Sequence, residues 1–138
     1  MKWKNRQFGE LDFDEDHILT FPAGLIGFED CRRYILVNDE DSQPFRWLVS
    51  IEEEDLSLPL LDPLLVDPSY GAAQLQKTET TTLVVASIAD DIERSTVNLR
   101  SPIVISNASR TGRQIILEEE AYPYHHPLFL ASQQAAKG

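Results

Sequence analysis

The hydrophobic residues of this chain occur in short runs that end at turn residues, and this pattern most constrains the fold. Tyr34–Val37 is followed by an acidic stretch, Phe45–Ile51 alternates large apolar residues with smaller or polar ones, and Leu83–Ile88 ends at two aspartates. Short runs rich in β-branched and aromatic residues are typical of β-strands. We therefore predict an all-β fold: a small antiparallel β-barrel-like single domain in which helix is confined to short turns.

Two pairs of neighbouring strands are predicted from the segments around these runs. Ile103–Ile105 and Arg113–Leu117 flank a polar stretch, which indicates a β-hairpin in which Gly112 supplies a positive φ. Phe8–Phe13 and Ile18–Phe21 suggest a second pair, connected through the acidic residues between them. The prolines at positions 59, 63 and 68 interrupt a further apolar stretch. Because proline has no N–H to donate to a ladder, we expect that stretch at a sheet edge or in loops.

The length of 138 residues fits one domain. We place the barrel-like domain at residues 1–129. Residues 130–138 are small and polar, and we predict that they form a mobile tail or a weak helix. No apolar run approaches the roughly 20 residues of a membrane helix, and the first residues lead into no signal-peptide core. We therefore expect a cytoplasmic protein that does not enter a membrane.

The charge of the chain is strongly acidic, with 23 Asp and Glu residues against 12 Lys and Arg residues and a formal net charge of −11. Proteins that bind nucleic acid normally present a basic surface to the phosphates. The basic residues of this chain are scattered, so direct nucleic-acid binding is not expected. Two interpretations of the acidity remain: it steers association with a basic protein, or it serves solubility.

Catalytic and metal-binding groups do not converge in the sequence. His125 and His126 are adjacent and point to opposite faces of an extended chain, while His17 lies far away among acidic residues. These three could still meet in space as a zinc site. Cys31 is the single cysteine, and the sequence contains no glycine-rich phosphate loop and no nucleophile elbow. We therefore expect neither an enzyme nor a bound cofactor or metal.

Four segments in order resemble the motifs of one family, the flagellar assembly factor FliW family. Residues 21–29 read FPAGLIGFE, residues 44–50 read PFRWLVS, residues 96–105 read TVNLRSPIVI and residues 112–117 read GRQIIL, followed by Tyr122 and by HPL at residues 126–128. The resemblance covers nearly the whole chain, from about Phe8 to Leu128. Between Tyr70 and Leu83 the chain is shorter than many relatives.

The resemblance implies a cytoplasmic, non-enzymatic regulator of flagellum assembly. Members of the family bind the carbon storage regulator CsrA, a small dimeric RNA-binding protein that represses translation of flagellin messenger RNA. Binding relieves this repression, and flagellin competes with CsrA for the factor. The alternative is a dedicated flagellin chaperone without a regulatory role, in which an apolar surface carries the function.

The candidate partner-binding residues fall in three places. Leu25 and Ile26 lie in a glycine-flanked loop, where either they close the barrel end with Phe28 or one of them stays exposed as a partner contact; Phe28 is predicted to belong to the core. Ile103 and Ile105 lie on a strand that could neighbour this loop. Asn98 interrupts a predicted strand, where its amide either satisfies backbone groups near the following proline or contacts a partner.

The third place is an acidic run, which consists of Glu52, Glu53, Glu54 and Asp55. We predict that this run forms an exposed turn. The Debye length is about 8 Å at physiological salt, so negative charge held beside the RNA path of a regulator would oppose RNA binding. The alternative mechanism is simple steric competition with RNA.

Overall fold

The structure is a computed structural model that describes residues 1–70, 79–118 and 122–128. The strands in these ranges are β1 (Lys2–Asn5), β2 (Gly9–Asp12), β3 (Leu19–Thr20), β4 (Arg33–Asn38), β5 (Arg46–Ser50), β6 (Ser57–Leu61), β7 (Thr80–Ser87), β8 (Thr96–Val97), β9 (Ile103–Ser106), β10 (Thr111–Gln114) and β11 (His126–Pro127). Helical structure in the same ranges is limited to 3-10 turns at Glu15–His17, Glu40–Ser42, Pro63–Leu65 and Ile92–Arg94. The predicted tail at residues 130–138 lies outside the described residues.

Seven strands close into a barrel in the order β3-β4-β5-β6-β7-β9-β10, and β10 returns to β3. Neighbouring strands are antiparallel except at this closure, where Thr111 pairs in parallel with Thr20. The predicted all-β barrel with short helical turns is confirmed. Strand β7 has three neighbours along its length, because its first half pairs with β9, its middle with β6 and its end with β8.

The barrel interior follows from the two-residue period of the strands. Leu83 in β7 and Ile103 and Ile105 in β9 point inward and join a core cluster around Tyr34 and Phe21, whose rings meet edge to face. Two further clusters cover the outside of the barrel. One lies beneath the β1–β2 hairpin and the other beneath the chain after β8.

The predicted pairing of residues 8–13 with residues 18–21 is wrong. Strand β2 pairs instead with β1 in a four-residue ladder, and β3 pairs with β4 and β10. The side chain of Asn5 explains the preference, because its Oδ1 accepts hydrogen bonds from the N–H groups of Gln7 and Phe8. This arrangement stabilises a tight turn directly after β1.

The predicted hairpin of residues 103–105 is confirmed as β9 and β10, but its turn differs from the expectation. The returning strand begins at Thr111, and the positive φ of 56° belongs to Arg110. Gly112 lies within β10, where a Cβ atom would come within 2.5 Å of the Phe21 ring. Glycine is therefore needed at position 112 for packing.

Pro59 lies in β6, which has a neighbour on each side in the barrel. Strand β6 pairs with β7 only through Leu60 and Leu61. Pro59 pairs with Trp47 of β5 and lies beyond the part of β6 that β7 covers. The missing N–H therefore falls where the sheet is locally an edge, as proline requires.

Candidate functional site

The loop between β3 and β4 ends in a tight turn at the surface of the barrel. Leu25 and Phe28 form an isolated antiparallel bridge, in which the N–H of Phe28 donates to the carbonyl of Leu25 at 2.8 Å. Ile26 and Gly27 occupy the tip of this turn. Gly27 has a φ of 88°, the left-handed conformation that glycine adopts without steric cost.

Gly24 fixes the path of the chain into this turn. Its φ is 70°, and its N–H donates to the carbonyl of Phe21 at 2.8 Å. A Cβ atom at Gly24 would lie 2.6 Å from the backbone of Glu29. The loop therefore crosses its own backbone at a distance that only glycine permits, so the tip is held in one position.

The three apolar residues of the turn differ in exposure. Leu25 is 3% exposed and belongs to the barrel core, whereas Ile26 is 52% and Phe28 41% exposed. Leu25 is therefore covered by its packing and offers almost no surface to a partner. Ile26 is on the surface, as the partner-contact interpretation requires. The expectation that Phe28 belongs to the core is wrong, because the turn leaves one side of its ring uncovered.

Gln114 of β10 anchors the tip of the loop. Its Oε1 accepts a hydrogen bond from the N–H of Ile26 at 2.9 Å, and its Nε2 donates to the carbonyl of Ser101 at 3.0 Å. A single side chain thus links the loop after β3 to the chain that leads into β9. This link holds Ile26 in place on the surface.

A surface groove of about 280 Å³ lies beside the loop, and we call it the loop groove. Its apolar lining consists of Leu25, Ile26, Phe28, Leu58, Val85 and Tyr124, and its polar lining consists of Ser87, Asn98, Gln114 and His125. The groove therefore brings together three of the predicted partner-binding residues, Leu25, Ile26 and Asn98.

Asn98 follows β8 and orders the chain before β9. Its Oδ1 accepts hydrogen bonds from the N–H groups of Arg100 at 3.1 Å and Ser101 at 3.0 Å. The predicted backbone-satisfying role of Asn98 is therefore confirmed. Arg100 in turn lies over the Tyr124 ring, 5.0 Å from its centroid. This cation–π contact fixes an aromatic wall of the loop groove.

Ile103 and Ile105 do not reach the surface. They are 0% and 2% exposed and point into the barrel, where they pack in the same cluster as Leu25. Their side chains are therefore not available to a partner in this fold. Ile103 pairs with Gln114 across the β9–β10 ladder, so it supports the strand that anchors Ile26.

The acidic run forms an exposed turn between β5 and β6, as predicted. Ser50 orders the turn, because its Oγ accepts hydrogen bonds from the N–H groups of Glu52 and Glu53, both at 3.0 Å. Glu52 Oε1 accepts from the N–H groups of Arg32 and Arg33 at 2.7 and 2.8 Å. Partial burial alone would raise the pKa of Glu52, but these two hydrogen bonds and the charges of Arg33 and Arg32 together lower the pKa.

Two carboxylates of the acidic run are paired with one arginine. Arg6 binds Asp55 through Nε and Glu54 through Nη2, the latter at 2.7 Å. The two carboxylates raise the pKa of Arg6, and the hydrogen bond that Arg6 donates to Asp55 contributes most. Glu53 forms no ion pair within the described ranges. The negative field of the run is therefore weaker than the four residues alone indicate.

A second concavity shares Phe28 with the loop groove, and we call it the acidic hollow. Its volume is about 480 Å³, and its lining includes the carboxylates of Glu29, Asp30, Glu53 and Asp55. Phe28 lines both concavities. The exposed aromatic ring therefore lies between an apolar groove and a negatively charged hollow, which together form one surface suited to a basic partner with an apolar side chain.

Sequence reasoning missed several residues of this surface. Leu58, Val85, Gln114 and Tyr124 line the loop groove but come from four separate parts of the chain. The resemblance to the family offered a signal for Gln114, which lies within one of the matching segments. No local pattern indicates the other three, because they meet only when the barrel closes.

The described residues contain no group of three or more His, Cys, Asp or Glu side chains placed to hold a metal ion. His17 instead closes its own 3-10 turn, where Nδ1 accepts from the N–H of Asp14 at 3.0 Å. Over the same part of the chain, no helix has the length and apolar character needed to cross a membrane.

Comparisons with known proteins agree with the resemblance found in the sequence. The sequence profile of the FliW protein family matches residues 2–128. The flagellar assembly factor FliW of Natranaerobius thermophilus is 39% identical over 149 aligned positions, which cover 100% of this chain and 99% of the relative. The corresponding factor of Thermosipho africanus is 37% identical, with coverage of 90% and 93%. A crystal structure of the flagellar assembly factor FliW superimposes with a TM-score of 0.82 at 29% identity, covering 94% of this chain and 97% of that one.

Proposed function

This chain belongs to the FliW family of flagellar assembly factors, and on that premise we propose that it binds the translational regulator CsrA and relieves repression of flagellin messenger RNA. It acts without catalysis, cofactor or metal, in the cytoplasm. The observation that carries the proposal is the position of Phe28 between the loop groove and the acidic hollow.

The chemistry of this surface fits a protein that binds RNA. Such a protein presents Lys and Arg side chains to phosphate, and these are complementary to the carboxylates of the acidic hollow. Ile26 and Phe28 add apolar contact area that the fold leaves exposed. Aromatic and aliphatic anchors in a central position supply most of the affinity of an interface, while a charged rim sets the encounter rate.

The acidic hollow also supplies a mechanism for displacing RNA. A carboxylate-rich surface docked beside the RNA path opposes phosphate within about one Debye length, about 8 Å at physiological salt. Glu53 and Asp30 carry this effect, because neither is neutralised by an ion pair among the described residues. Antagonism then does not require the factor to cover the RNA site.

Flagellin is the second partner, and it competes with CsrA for this factor in a partner-switching mechanism. The loop groove supports this proposal, because the ends of flagellin are amphipathic helices whose apolar faces need an apolar surface. The alternative function, a dedicated flagellin chaperone, uses the same groove but does not need the acidic hollow. The two functions are therefore separated by changing charge alone.

The test measures the affinity of CsrA for RNA with and without this protein, using two double variants that each remove two charges. Glu53→Gln with Asp30→Asn neutralises the acidic hollow. Glu40→Gln with Asp41→Asn is the matched control, since both residues are exposed and lie at the opposite end of β5. We expect the first variant to bind CsrA but to reduce the affinity of CsrA for RNA several-fold less than the control does.

A second arm tests the apolar contact. Ile26→Asp is compared with Leu65→Asp. Leu65 is 63% exposed and follows the end of β6, whereas Leu58, which lines the loop groove, lies near the start of that strand. Both variants should keep the folded far-UV spectrum, and only Ile26→Asp should lose CsrA affinity, by at least about tenfold. Equal behaviour of the two double variants together with full affinity of Ile26→Asp would refute the proposal. Wild-type protein that binds flagellin but does not bind CsrA would support the chaperone function instead.

A further inference from the structure

One mouth of the barrel holds a small pocket that the proposed partner surface does not use. Its volume is about 150 Å³. Its apolar floor is formed by Leu19, Leu36 and Ile105, from β3, β4 and β9, and two arginines, Arg46 and Arg110, line it. Because the lining comes from several strands around the barrel, the pocket is the open end of the barrel interior, and we call it the mouth pocket.

Arg46 is directed into the barrel by the register of β5. It lies two residues before Leu48, which packs in the barrel core, and residues two apart on a strand share a face. Its Nε donates to Asn38 Oδ1 at 3.1 Å, which leaves the two terminal nitrogens without an acceptor among the described residues. Burial lowers the pKa of Arg46, as expected for a cation partly removed from water without a counter-charge.

Arg110 reaches the same pocket from the β9–β10 turn. Its Nη2 donates to the carbonyl of His17 at 3.2 Å, while its Nε is buried and has no hydrogen-bond partner. A buried donor without an acceptor costs free energy. The Nε atom has no accessible surface, but the other terminal nitrogen, Nη1, has no acceptor among the described residues and remains for an acceptor in the mouth pocket.

The charge around the mouth pocket is positive in a chain of net charge −11. Neither Arg46 nor Arg110 forms an ion pair within the described ranges, whereas Arg6 and Arg33 do. No carboxylate lines the mouth pocket. Asp62 lines a separate cavity together with Arg46, and its Oδ1 accepts a hydrogen bond from the N–H of Leu64 at 2.9 Å.

We propose that the mouth pocket binds one small divalent oxyanion, such as inorganic phosphate, through the guanidinium groups of Arg46 and Arg110. Guanidinium groups match the geometry of oxyanions and form strong charge-assisted hydrogen bonds with them. Thr81 and Asn107 also line the pocket and are hydrogen-bonded to each other at 3.2–3.3 Å. They give the site a polar edge that a hydrated ion can contact. The size of the pocket suits one ion and excludes a nucleic-acid strand.

The test titrates the whole protein with inorganic phosphate at constant ionic strength, balanced with sodium chloride, and follows both the melting temperature and the ³¹P resonance. A ligand that binds only the folded state stabilises it in proportion to the logarithm of its concentration above Kd. We expect saturable binding with a Kd on the order of 1 mM. Arg46→Gln and Arg110→Gln should each raise that Kd at least about tenfold, whereas Arg46→Lys should retain part of the binding because it keeps the charge.

Arg94→Gln is the matched control, because Arg94 is exposed, unpaired within the described ranges and outside the pocket. It should titrate as wild type does. Sulfate should reproduce the phosphate effect, and acetate should not. The proposal is overturned if phosphate does not saturate, if Arg46→Gln and Arg110→Gln titrate as the control does, or if acetate binds as well as phosphate. The quantity compared between variants is the change in melting temperature and ³¹P resonance as phosphate is added. A lower melting temperature of a variant without phosphate therefore does not affect the result.

Discussion

Gln114 accepts a hydrogen bond from the backbone N–H of Ile26 at 2.9 Å, although 88 positions separate the two residues. The bond joins the tip of the apolar loop to β10. It explains how an exposed isoleucine is kept in a defined place instead of moving with a free loop. The position of Ile26 is therefore a property of the closed barrel.

Replacing Gln114 by Ala should release the loop. The substitution removes the acceptor for Ile26 and the donor to Ser101, and at about 1 kcal/mol for each hydrogen bond we expect a loss of about 1–2 kcal/mol in the free energy of unfolding. Gln114→Glu keeps the acceptor and should preserve the slow hydrogen exchange of the Ile26 amide. Urea unfolding and amide exchange measure the two effects. Equal exchange at Ile26 in both variants would show that the bond does not hold the loop.

Gly24 and Gly27 should respond differently to alanine. Both have a positive φ, but a Cβ at Gly24 meets the Glu29 backbone at 2.6 Å, whereas one at Gly27 meets nothing within 4 Å. We expect Gly27→Ala to cost about 1–2 kcal/mol, the ordinary cost of a left-handed residue. Gly24→Ala adds a steric overlap of the kind that costs about 1–3 kcal/mol more. Denaturant midpoints provide the comparison, and equal losses would contradict the described crossing of the loop.

Glu52 should make stability depend on pH. Its pKa lies below the ordinary value of 4.5: partial burial opposes the shift, and the hydrogen bonds from the Arg32 and Arg33 N–H groups together with the charges of these arginines produce it. A carboxyl with a lowered folded pKa adds stability above its ordinary pKa, and this is lost as pH falls through the folded value.

The variant Glu52→Gln keeps an oxygen acceptor and removes the charge. It should be less stable than wild type at pH 7, and the difference should shrink as the pH falls below about 4.5. Urea unfolding of both proteins from pH 7 to pH 3 measures this difference, in which the titration of all other groups cancels. A difference that grows with acidity would contradict the assigned interaction.

Two buried tyrosines provide a matched pair. The hydroxyl of Tyr34 is buried in the barrel without a hydrogen-bond partner, whereas the hydroxyl of Tyr70 donates to the carbonyl of Leu99. Tyr34→Phe should raise the free energy of unfolding by about 1 kcal/mol, and Tyr70→Phe should lower it by about as much. Thermal and urea unfolding test the opposite signs. Destabilisation by Tyr34→Phe would show that its hydroxyl has an acceptor in solution.

The barrel could be predicted from the sequence because strand length and turn spacing are local properties. The β9–β10 hairpin and the exposed acidic turn could be predicted from the sequence for the same reason. Local patterns did not show whether Leu25 or Phe28 would be buried. Both are apolar residues of one loop, and residues beside them in the folded protein, such as Leu58, Val85 and Tyr124, come from distant parts of the chain.

The acidic run illustrates the same limit for charge. Its exposure follows from four consecutive carboxylates after a strand. The pairing of two of these carboxylates with Arg6 does not follow from the local sequence, because Arg6 lies 48 and 49 positions before its two partners. The ion pairs arise because the β1–β2 hairpin packs against the turn, where Arg6 N–H also donates to the Glu54 carbonyl at 2.9 Å. Such long-range contacts are decided by tertiary packing.

The parallel closure between Thr20 and Thr111 gives the barrel a seam. One residue pair joins the two strands, supported by the hydrogen bond from Thr20 N–H to the Arg110 carbonyl at 2.9 Å. Contacts between distant parts of a chain form slowly, because the loop entropy is lost before the contact is gained. We therefore expect this seam to form late in folding and to open before the rest of the barrel. The hydrogen bond between Ile26 and Gln114 also connects the β3 side of this seam to the β10 side. A partner bound in the loop groove would therefore stabilise the closed barrel.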